Sequence, residues 1–142
     1  MLRLPATAAV PNGASPAIIE TGVFVMLKVL LLDDKKSIIE GMKELIDWES
    51  CGFEIAAALG RTDEALKFVR ENHVDLLITD IRMPHMSGLE LIEEVKKFKP
   101  HLRFAIISGY AEFEYVKQAL NRKVDGYLLK PVDEDELIEV LD

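Results

Sequence analysis

The chain has 142 residues, of which 49% are apolar and 30% charged, and its net charge is −8 at pH 7. This length suits one domain with a buried core, and the acidic balance disfavours direct contact with nucleic acid or an anionic membrane surface. The single cysteine, Cys51, excludes a disulfide within the chain and favours a reduced, cytoplasmic location, and no run approaches the ~20 apolar residues that span a bilayer.

Residues 1–25 differ in composition from the rest of the chain. They hold three of the six prolines and almost no charge, and their apolar residues are too interrupted for a signal peptide. We predict a flexible leader, either native or a non-native extension, followed by one domain over residues 26–142. Local packing of Ile18-Ile19 and residues 23–25, or an extension of the first strand by them, stays open.

From residue 26 onward, strand patterns alternate with helix patterns. Five short apolar runs predict strands at residues 27–32, 53–59, 74–79, 103–107 and 126–129. Near-continuous apolar character is typical of parallel strands that are buried on both faces. Five strand–helix pairs therefore predict an α/β fold, a flavodoxin-like doubly wound parallel sheet with strand order 2-1-3-4-5 and helices on both faces.

Polar residues mark where the predicted helices begin. A side-chain oxygen at the N-cap accepts a hydrogen bond from the first turn, and a Glu three residues later completes a capping box. We predict N-caps at Ser37, Thr62, Ser87 and Asp133, with Glu40, Glu90 and Glu136 as capping-box partners. The fourth helix is expected at about residues 111–122, and the fifth is interrupted by the chain end at Asp142.

Polar side chains follow four of the predicted strands. Asp33 and Asp34 follow the first, Asp80 the third, Ser108 the fourth and Lys130 the fifth. The carboxyl ends of parallel strands share one edge, and the crevice between strands one and three is where such sheets bind ligands. Three carboxylates there repel one another unless a cation such as Mg²⁺ is bound. One carboxylate could act as a nucleophile toward phosphorus, with Lys130 and Ser108 holding the phosphoryl oxygens.

The segments that carry these residues resemble the receiver domain of two-component response regulators. They read KVLLLDD at 28–34, LITDIRMP at 77–84 followed by Ser87-Gly88, ISG at 107–109 and YLLKP at 127–131. The resemblance covers about residues 27–141. It implies a non-enzymatic switch in which Asp80 accepts a phosphoryl group from a partner sensor histidine kinase, with Mg²⁺ as the cofactor.

The resemblance also implies roles for individual residues around the acceptor. Asp34 and Asp80 would bind Mg²⁺ directly, Asp33 would act partly through water, and the backbone carbonyl of Arg82 would complete the protein's share of the metal ligands. Lys130 and Ser108 would contact the phosphoryl oxygens. The bond between Lys130 and Pro131 is expected to be cis, as is usual in this family.

The same resemblance predicts how the signal spreads. When the phosphoryl group draws in Ser108, the ring of Tyr127 turns inward, and the surface formed by the fourth helix, fifth strand and fifth helix changes. This is a population shift between two packings. The receivers whose motifs are most similar precede an arabinose-regulator-type helix-turn-helix output domain, and no such domain follows Asp142. We therefore expect an excised receiver from a transcription regulator, with a stand-alone receiver as the alternative.

Partners follow from this interpretation. They are the kinase, the chain's own output domain or a downstream protein, and a second copy if phosphorylation drives dimerisation. Three other functions fit these residues less well. A Mg²⁺-dependent phosphohydrolase would carry an acid where Arg82 stands, a non-phosphorylated binding module would have lost an acidic residue or Lys130, and an FMN-binding protein would need a phosphate loop in place of residues 33–36.

A few residues depart from the family pattern. Lys35 adds positive charge beside the acidic pair, and the turn at residues 60–62 is expected to be peripheral. By the same resemblance, Arg82 and Tyr110 occupy two variable positions that modulate loss of the phosphoryl group. Both side chains are bulky and would hinder an attacking water, which predicts slow loss. His85, in the loop after Pro84, is expected to be solvated.

Overall fold

The computed structural model describes residues 17–18, 24–109 and 124–141. The predicted fourth helix at about residues 111–122 and Tyr110 lie outside the described residues, as does most of the predicted leader. Within the described part of the chain, every helix is too short or too polar to cross a membrane.

The centre of the fold is a five-stranded, all-parallel sheet. Its strands are β1 (Leu27–Leu32), β2 (Phe53–Leu59), β3 (Leu76–Asp80), β4 (Arg103–Ser108) and β5 (Gly126–Leu129). Their spatial order is β2-β1-β3-β4-β5, which confirms the predicted order. Every residue of β3, and every residue of β4 except Arg103, is buried. This explains why these strands read as uninterrupted apolar runs.

The predicted start of the third strand at Val74 was wrong, because β3 begins at Leu76. The preceding residue, Asp75, forms hydrogen bonds with the neighbouring strand β1 through its side chain as well as its backbone. Its Oδ2 accepts a hydrogen bond from the Lys28 N–H at 2.7 Å, and its own N–H donates to the Lys28 carbonyl at 2.8 Å. This side-chain bond replaces one rung of the regular ladder at the start of the strand.

Helices cover both faces of the sheet. They are α1 (Lys36–Leu45), α2 (Thr62–Glu71), α3 (Gly88–Lys96) and α4 (Glu134–Leu141), with a short 3₁₀ turn at Glu49–Cys51. Helix α4 corresponds to the predicted fifth helix, because the predicted fourth lies outside the described residues. Alternate residues of β1 show the two-sided arrangement, since Leu31 packs with α1 and α4 while Leu30 packs with α2 and α3. The sheet is therefore sandwiched between two helical layers, as predicted from sequence.

Two of the predicted helix caps are confirmed. The Ser87 hydroxyl accepts a hydrogen bond from the Glu90 N–H at 3.2 Å at the start of α3. Asp133 Oδ2 accepts from the backbone N–H groups of Asp135 and Glu136, at 3.0 and 3.2 Å. Both side chains satisfy first-turn donors that have no partner within the helix.

The other two predicted caps were wrong. Helix α1 begins one residue before Ser37, and its N-cap, Lys35, has no side-chain capping bond. The Lys35 N–H is taken instead by Asp33 Oδ1 at 2.9 Å. Thr62 is the first residue of α2 rather than its N-cap, which is Arg61, and its hydroxyl lies against a different loop. At Thr62 a contact with a distant loop replaces the local cap, whereas at α1 the bond from Lys35 to Asp33 is itself local.

Two short strands precede the main sheet. Ala17–Ile18 and Phe24–Val25 pair antiparallel with each other and form a separate two-stranded sheet. They do not extend β1, which begins at Leu27. The assignment of residues 1–25 as a leader remains a prediction.

Gly88 brings the start of α3 against the end of β3. Its N–H donates to the Ile81 carbonyl at 2.8 Å, and a Cβ at this position would overlap the carbonyl oxygen of Asp80. A backbone atom cannot move aside as a flexible side chain can. The position therefore requires glycine for close approach, and this approach fixes the backbone beside Asp80.

We expect Gly88→Ala to lower the free energy of unfolding by about 1–3 kcal/mol, because the methyl group meets backbone. Gly41→Ala is the control, since Gly41 lies in α1 with nothing within 4 Å of its missing Cβ. That substitution should stabilise the protein by about 0.5–1 kcal/mol. Urea unfolding followed by the fluorescence of buried Trp48 measures both. A Gly88→Ala midpoint equal to that of the unmodified protein would contradict the close approach.

Candidate functional site

The polar residues predicted to share one edge of the sheet do so. Asp33 and Asp34 follow β1, Asp80 ends β3, Ser108 ends β4 and Lys130 follows β5. Because β3 lies between β1 and β4, Asp80 is the central member of the set. The buried members are Asp33, Asp80 and Ser108, whereas Asp34 is exposed.

The ammonium group of Lys130 joins the carboxylates of two strands. Its Nζ lies 3.1 Å from Asp33 Oδ2 and 3.1 Å from Asp80 Oδ2. The backbone holds the lysine in place, since the Lys130 N–H donates to the Ser108 carbonyl at 2.8 Å. The bond from Lys130 to Pro131 is cis, which confirms that prediction. One cation thus partly neutralises two acidic groups that would otherwise repel each other.

Asp33 is the most deeply enclosed carboxylate of the site, with 2% of its surface exposed. Burial is the main cause that raises its pKa, and the negative charge of Asp80 adds to the effect, while the Lys35 N–H and Lys130 oppose it. Its Oδ2 is buried and lacks a properly directed hydrogen bond, although the Lys130 ammonium is close enough for an ion pair. This oxygen keeps a lone pair available for a further ligand.

Lys130 remains charged despite being largely buried. Burial by itself would lower its pKa, but the polar contacts with Asp33 and Asp80 and their negative charges outweigh burial and raise the pKa above its ordinary value. The site therefore carries a fixed positive charge beside its acidic residues at neutral pH.

The three carboxylates can also hold a metal ion. One oxygen from each of Asp33, Asp34 and Asp80 lies within 4.8 Å of the others, and no other such trio of His, Cys, Asp or Glu occurs in the part of the chain that the structure describes. All donors are hard oxygens, and the exposed Asp34 leaves one side open to water. Mg²⁺ favours carboxylate oxygens together with retained waters, so this donor set fits it. The Asp33 Oδ2, which has the Lys130 ion pair but no directed hydrogen bond, supports the same conclusion.

Ser108 and Tyr127 are linked at the far side of the site. The Ser108 hydroxyl is buried and donates a hydrogen bond to the Tyr127 hydroxyl at 3.3 Å. Tyr127 is half-buried in β5, two strands away from Asp80. A change at Ser108 can therefore reach β5 directly. The predicted rotation of Tyr127 and the predicted contacts of Ser108 with a phosphoryl group stay predictions.

The loop after Asp80 carries the remaining predicted ligand. Ile81 and Met83 are buried whereas Arg82 between them is exposed, so the loop stays against the core while the Arg82 side chain faces outward. The role of the Arg82 carbonyl as a metal ligand stays a prediction. His85 is exposed, as expected, and has a positive φ of 71°.

Three residues without a predicted role at the site hold the backbone around it. The buried Thr79 hydroxyl donates to the Asp80 carbonyl at 3.0 Å, Gly88 packs against that carbonyl, and the Thr62 hydroxyl lies 3.5 Å from the Pro84 carbonyl. A polar residue inside an apolar run was a usable signal for Thr79, and Gly after Ser87 was one for Gly88. No sequence signal pointed from Thr62 to the loop, since the two are 22 residues apart.

A cavity also lies away from the carboxylates. It has a volume of about 430 Å³ and is lined mainly by apolar side chains such as Leu27, Phe53 and Leu102, with His73 and Asp75 at its rim. These residues lie at the amino-terminal edge of the sheet, opposite to the carboxylates. His73 Nε2 is 2.8 Å from Asp75 Oδ1, which gives that histidine a local partner. The cavity is separate from the acidic site.

Comparison with known proteins gives the same assignment over most of the chain. The family model described as response regulator receiver domain matches residues 29–142. An uncharacterized transcriptional regulatory protein of Bacillus subtilis, YesN, is 40% identical over 117 residues, which cover 82% of this chain and 32% of that protein. The transcriptional regulatory protein HptR of Staphylococcus aureus is 36% identical over 116 residues, covering 82% of this chain and 45% of HptR. The chain thus spans less than half the length of these relatives.

Solved structures of response regulators also resemble this chain. The REC domain of AraT, a response regulator from Geobacillus stearothermophilus, superposes with a TM-score of 0.78 at 39% identity, covering 82% of this chain and 91% of that one. A two-component transcriptional regulator AraC from Clostridium phytofermentans gives a TM-score of 0.74 at 30% identity, covering 81% and 89%.

The raised pKa of Asp33 predicts a pH dependence of stability. The folded protein retains this proton to a higher pH than the unfolded chain, whose ordinary value is 3.8. The stabilising effect of the proton is therefore complete below about pH 4 and is lost as the pH rises through the folded-state pKa. In metal-free buffer, Asp33→Asn should raise the urea midpoint at pH 7, and the gain should shrink as the pH falls toward 4.

Asp34→Asn is the matched control for this measurement, because Asp34 is exposed and its substitution should change stability less. A stability gain for Asp33→Asn that does not depend on pH would contradict the assignment of the effect to this carboxylate.

Proposed function

The chain belongs to the family of response regulator receiver domains, and we propose that it is the phosphoacceptor switch of a two-component system, with Asp80 as the acceptor. One observation carries the proposal. An acidic trio and one lysine, from three different strand ends, meet at a single edge of the sheet, and Lys130 contacts both Asp33 and Asp80 at 3.1 Å. Receiver domains are in general signalling modules rather than enzymes, and we assign this chain no turnover of its own.

Among the three carboxylates, Asp80 suits the role of nucleophile best. It lies on the central strand of the site, and one of its oxygens, Oδ2, is fixed by the Lys130 ammonium. Asp33 suits the role less well, because its side chain is fully buried and its Oδ1 accepts a hydrogen bond from the Lys35 N–H, whereas part of the Asp80 side chain is exposed. In the proposed transfer, a lone pair of Asp80 forms an oxygen–phosphorus bond while the phosphorus–nitrogen bond of the kinase's phosphohistidine breaks.

Charge is the main obstacle to this reaction, because a phosphoryl group must approach three acidic residues. Lys130 supplies a positive charge that is already desolvated and in place. The hydroxyl of Ser108 supplies a neutral donor at the end of the neighbouring strand. Asp33, Asp34, Asp80 and the Arg82 carbonyl would hold Mg²⁺, which when bound neutralises charge on the carboxylates and the phosphoryl oxygens.

The proposed switch runs from Ser108 to β5. A phosphoryl group on Asp80 offers the Ser108 hydroxyl a stronger acceptor than the Tyr127 hydroxyl that it contacts now at 3.3 Å. Release of Tyr127 lets its ring turn inward, and the surface formed by the predicted fourth helix, β5 and α4 changes with it. The phosphoryl group needs only to favour one of two packings for this to act as a signal.

We propose that the partner that recognises this surface is an output domain that regulates transcription. Receiver domains interact with histidine kinases and with output domains, and YesN, HptR and the AraC regulator are each described as transcriptional regulators. The chain itself spans less than half of the first two, so the output remains part of the proposal. We place the domain in the cytoplasm, where its kinase would reach it, and we include dimerisation on phosphorylation.

The acceptor can be tested by intact mass after incubation with acetyl phosphate and Mg²⁺. The unmodified chain should gain one phosphoryl group, and Asp80→Asn should gain none because the amide is not a nucleophile. Asp47→Asn, at an exposed carboxylate away from the site, should gain one group as the unmodified chain does. Uptake by Asp80→Asn equal to that of the control would refute Asp80 as the acceptor.

Metal binding gives a second test, by calorimetric titration with Mg²⁺. Asp34→Asn should weaken binding about tenfold or more through loss of a charged ligand. Lys130→Met should tighten it severalfold, because the ammonium competes with the ion for the Asp33 and Asp80 oxygens. These opposite signs separate a shared site from general destabilisation. Weaker binding by Lys130→Met would argue against the shared site.

A further inference from the structure

The loop between β3 and α3 has an unusual backbone turn. The Met86 N–H donates to the Pro84 carbonyl at 2.8 Å, which closes a three-residue turn around His85. The φ of His85 is 71°, and it is the only non-glycine residue with a positive φ in the part of the chain that the structure describes. Such a turn is rare and strained, and it persists only where the surrounding structure holds it.

Both ends of this loop are well anchored by the backbone. At its start the Ile81 N–H donates to the Ile107 carbonyl at 3.2 Å, and at its end the Gly88 N–H donates to the Ile81 carbonyl at 2.8 Å. The middle of the loop has a different attachment. The Pro84 carbonyl that closes the strained turn also lies 3.5 Å from the hydroxyl of Thr62, which belongs to α2.

Thr62 is placed for this contact rather than for capping its own helix. It is the first residue of α2, and the N-cap before it makes no side-chain capping bond. Only 3% of its surface is exposed, so its hydroxyl needs a partner within the protein. The Pro84 carbonyl supplies that partner at 3.5 Å, which makes it a long and weak hydrogen bond.

We infer that Thr62 is a positioning residue for the phosphoacceptor site. Its hydroxyl holds the Pro84 carbonyl from outside the loop and thereby fixes the path of residues 81–87, which carry the Arg82 carbonyl. The inference rests on the proposed function, because only a metal site gives that carbonyl a role. It assigns a role at the site to a turn that sequence alone marked as peripheral.

Two substitutions separate the hydroxyl from the rest of the side chain. Thr62→Val keeps the shape and removes the donor, whereas Thr62→Ser keeps the donor and removes a methyl group. Two readouts apply to each variant. Amide hydrogen exchange at Met86 and Gly88 in metal-free protein reports on the loop itself, and calorimetric titration reports the dissociation constant for Mg²⁺.

For Thr62→Val we expect faster exchange at Met86, with core amides of β3 unchanged, and Mg²⁺ binding weaker by about 2- to 10-fold, the size of one lost hydrogen bond. Thr62→Ser should stay close to the unmodified protein in both. If both variants change exchange and Mg²⁺ affinity alike, or if Thr62→Val leaves both unchanged, Thr62 only packs and the inference is overturned.

Failure of the positioning role of Thr62 can be distinguished from failure of the proposed phosphoacceptor function. Phosphoryl uptake by the unmodified chain is measured separately, and its absence would reject the switch while leaving the effects of Thr62 on exchange and metal affinity in place. Normal uptake with an unaffected Thr62→Val loop would reject the positioning role alone.

Discussion

The contact of Lys130 with Asp33 and Asp80 is the interaction on which the site depends. Two buried carboxylates on neighbouring strands repel each other, and Lys130 reaches both from the end of β5, at the edge of the sheet. The burial of Asp33 raises its pKa, and the same two carboxylates raise that of Lys130. The site therefore forms only when β1, β3 and β5 are all in register, which makes its charge balance a property of the whole sheet.

The same interaction sets what the site can respond to. A cation or a phosphoryl group that enters must compete with, or bond to, the Lys130 ammonium, so either one alters contacts that span the sheet. Ser108 and Tyr127 extend this path sideways to β5 through their hydroxyl contact. In the proposed switch, charge is the input and the packing of one aromatic ring is the output. Small changes at Asp80 can in this way alter a surface that a partner contacts.

The backbone around Asp80 is held as firmly as the charged groups. The Thr79 hydroxyl and Gly88 both contact the Asp80 carbonyl, while Thr62 contacts the strained turn at His85 through Pro84. None of these residues carries charge or chemistry of its own. Their common effect is to leave the loop after Asp80 with few alternative paths, and a metal site with strict octahedral preference benefits from such rigidity.

The sequence by itself determined the sheet, its strand order and the meeting of Asp33, Asp34, Asp80 and Lys130, because buried parallel strands leave long apolar runs and their carboxyl ends share one edge. Tertiary structure decided which hydrogen bonds the polar residues make. Ser37 and Thr62 fit local capping rules, yet α1 begins before Ser37, with its N-cap Lys35 donating an N–H to Asp33, and Thr62 faces Pro84. Capping rules consider one helix at a time, whereas a buried donor bonds to whichever acceptor the folded chain brings nearest.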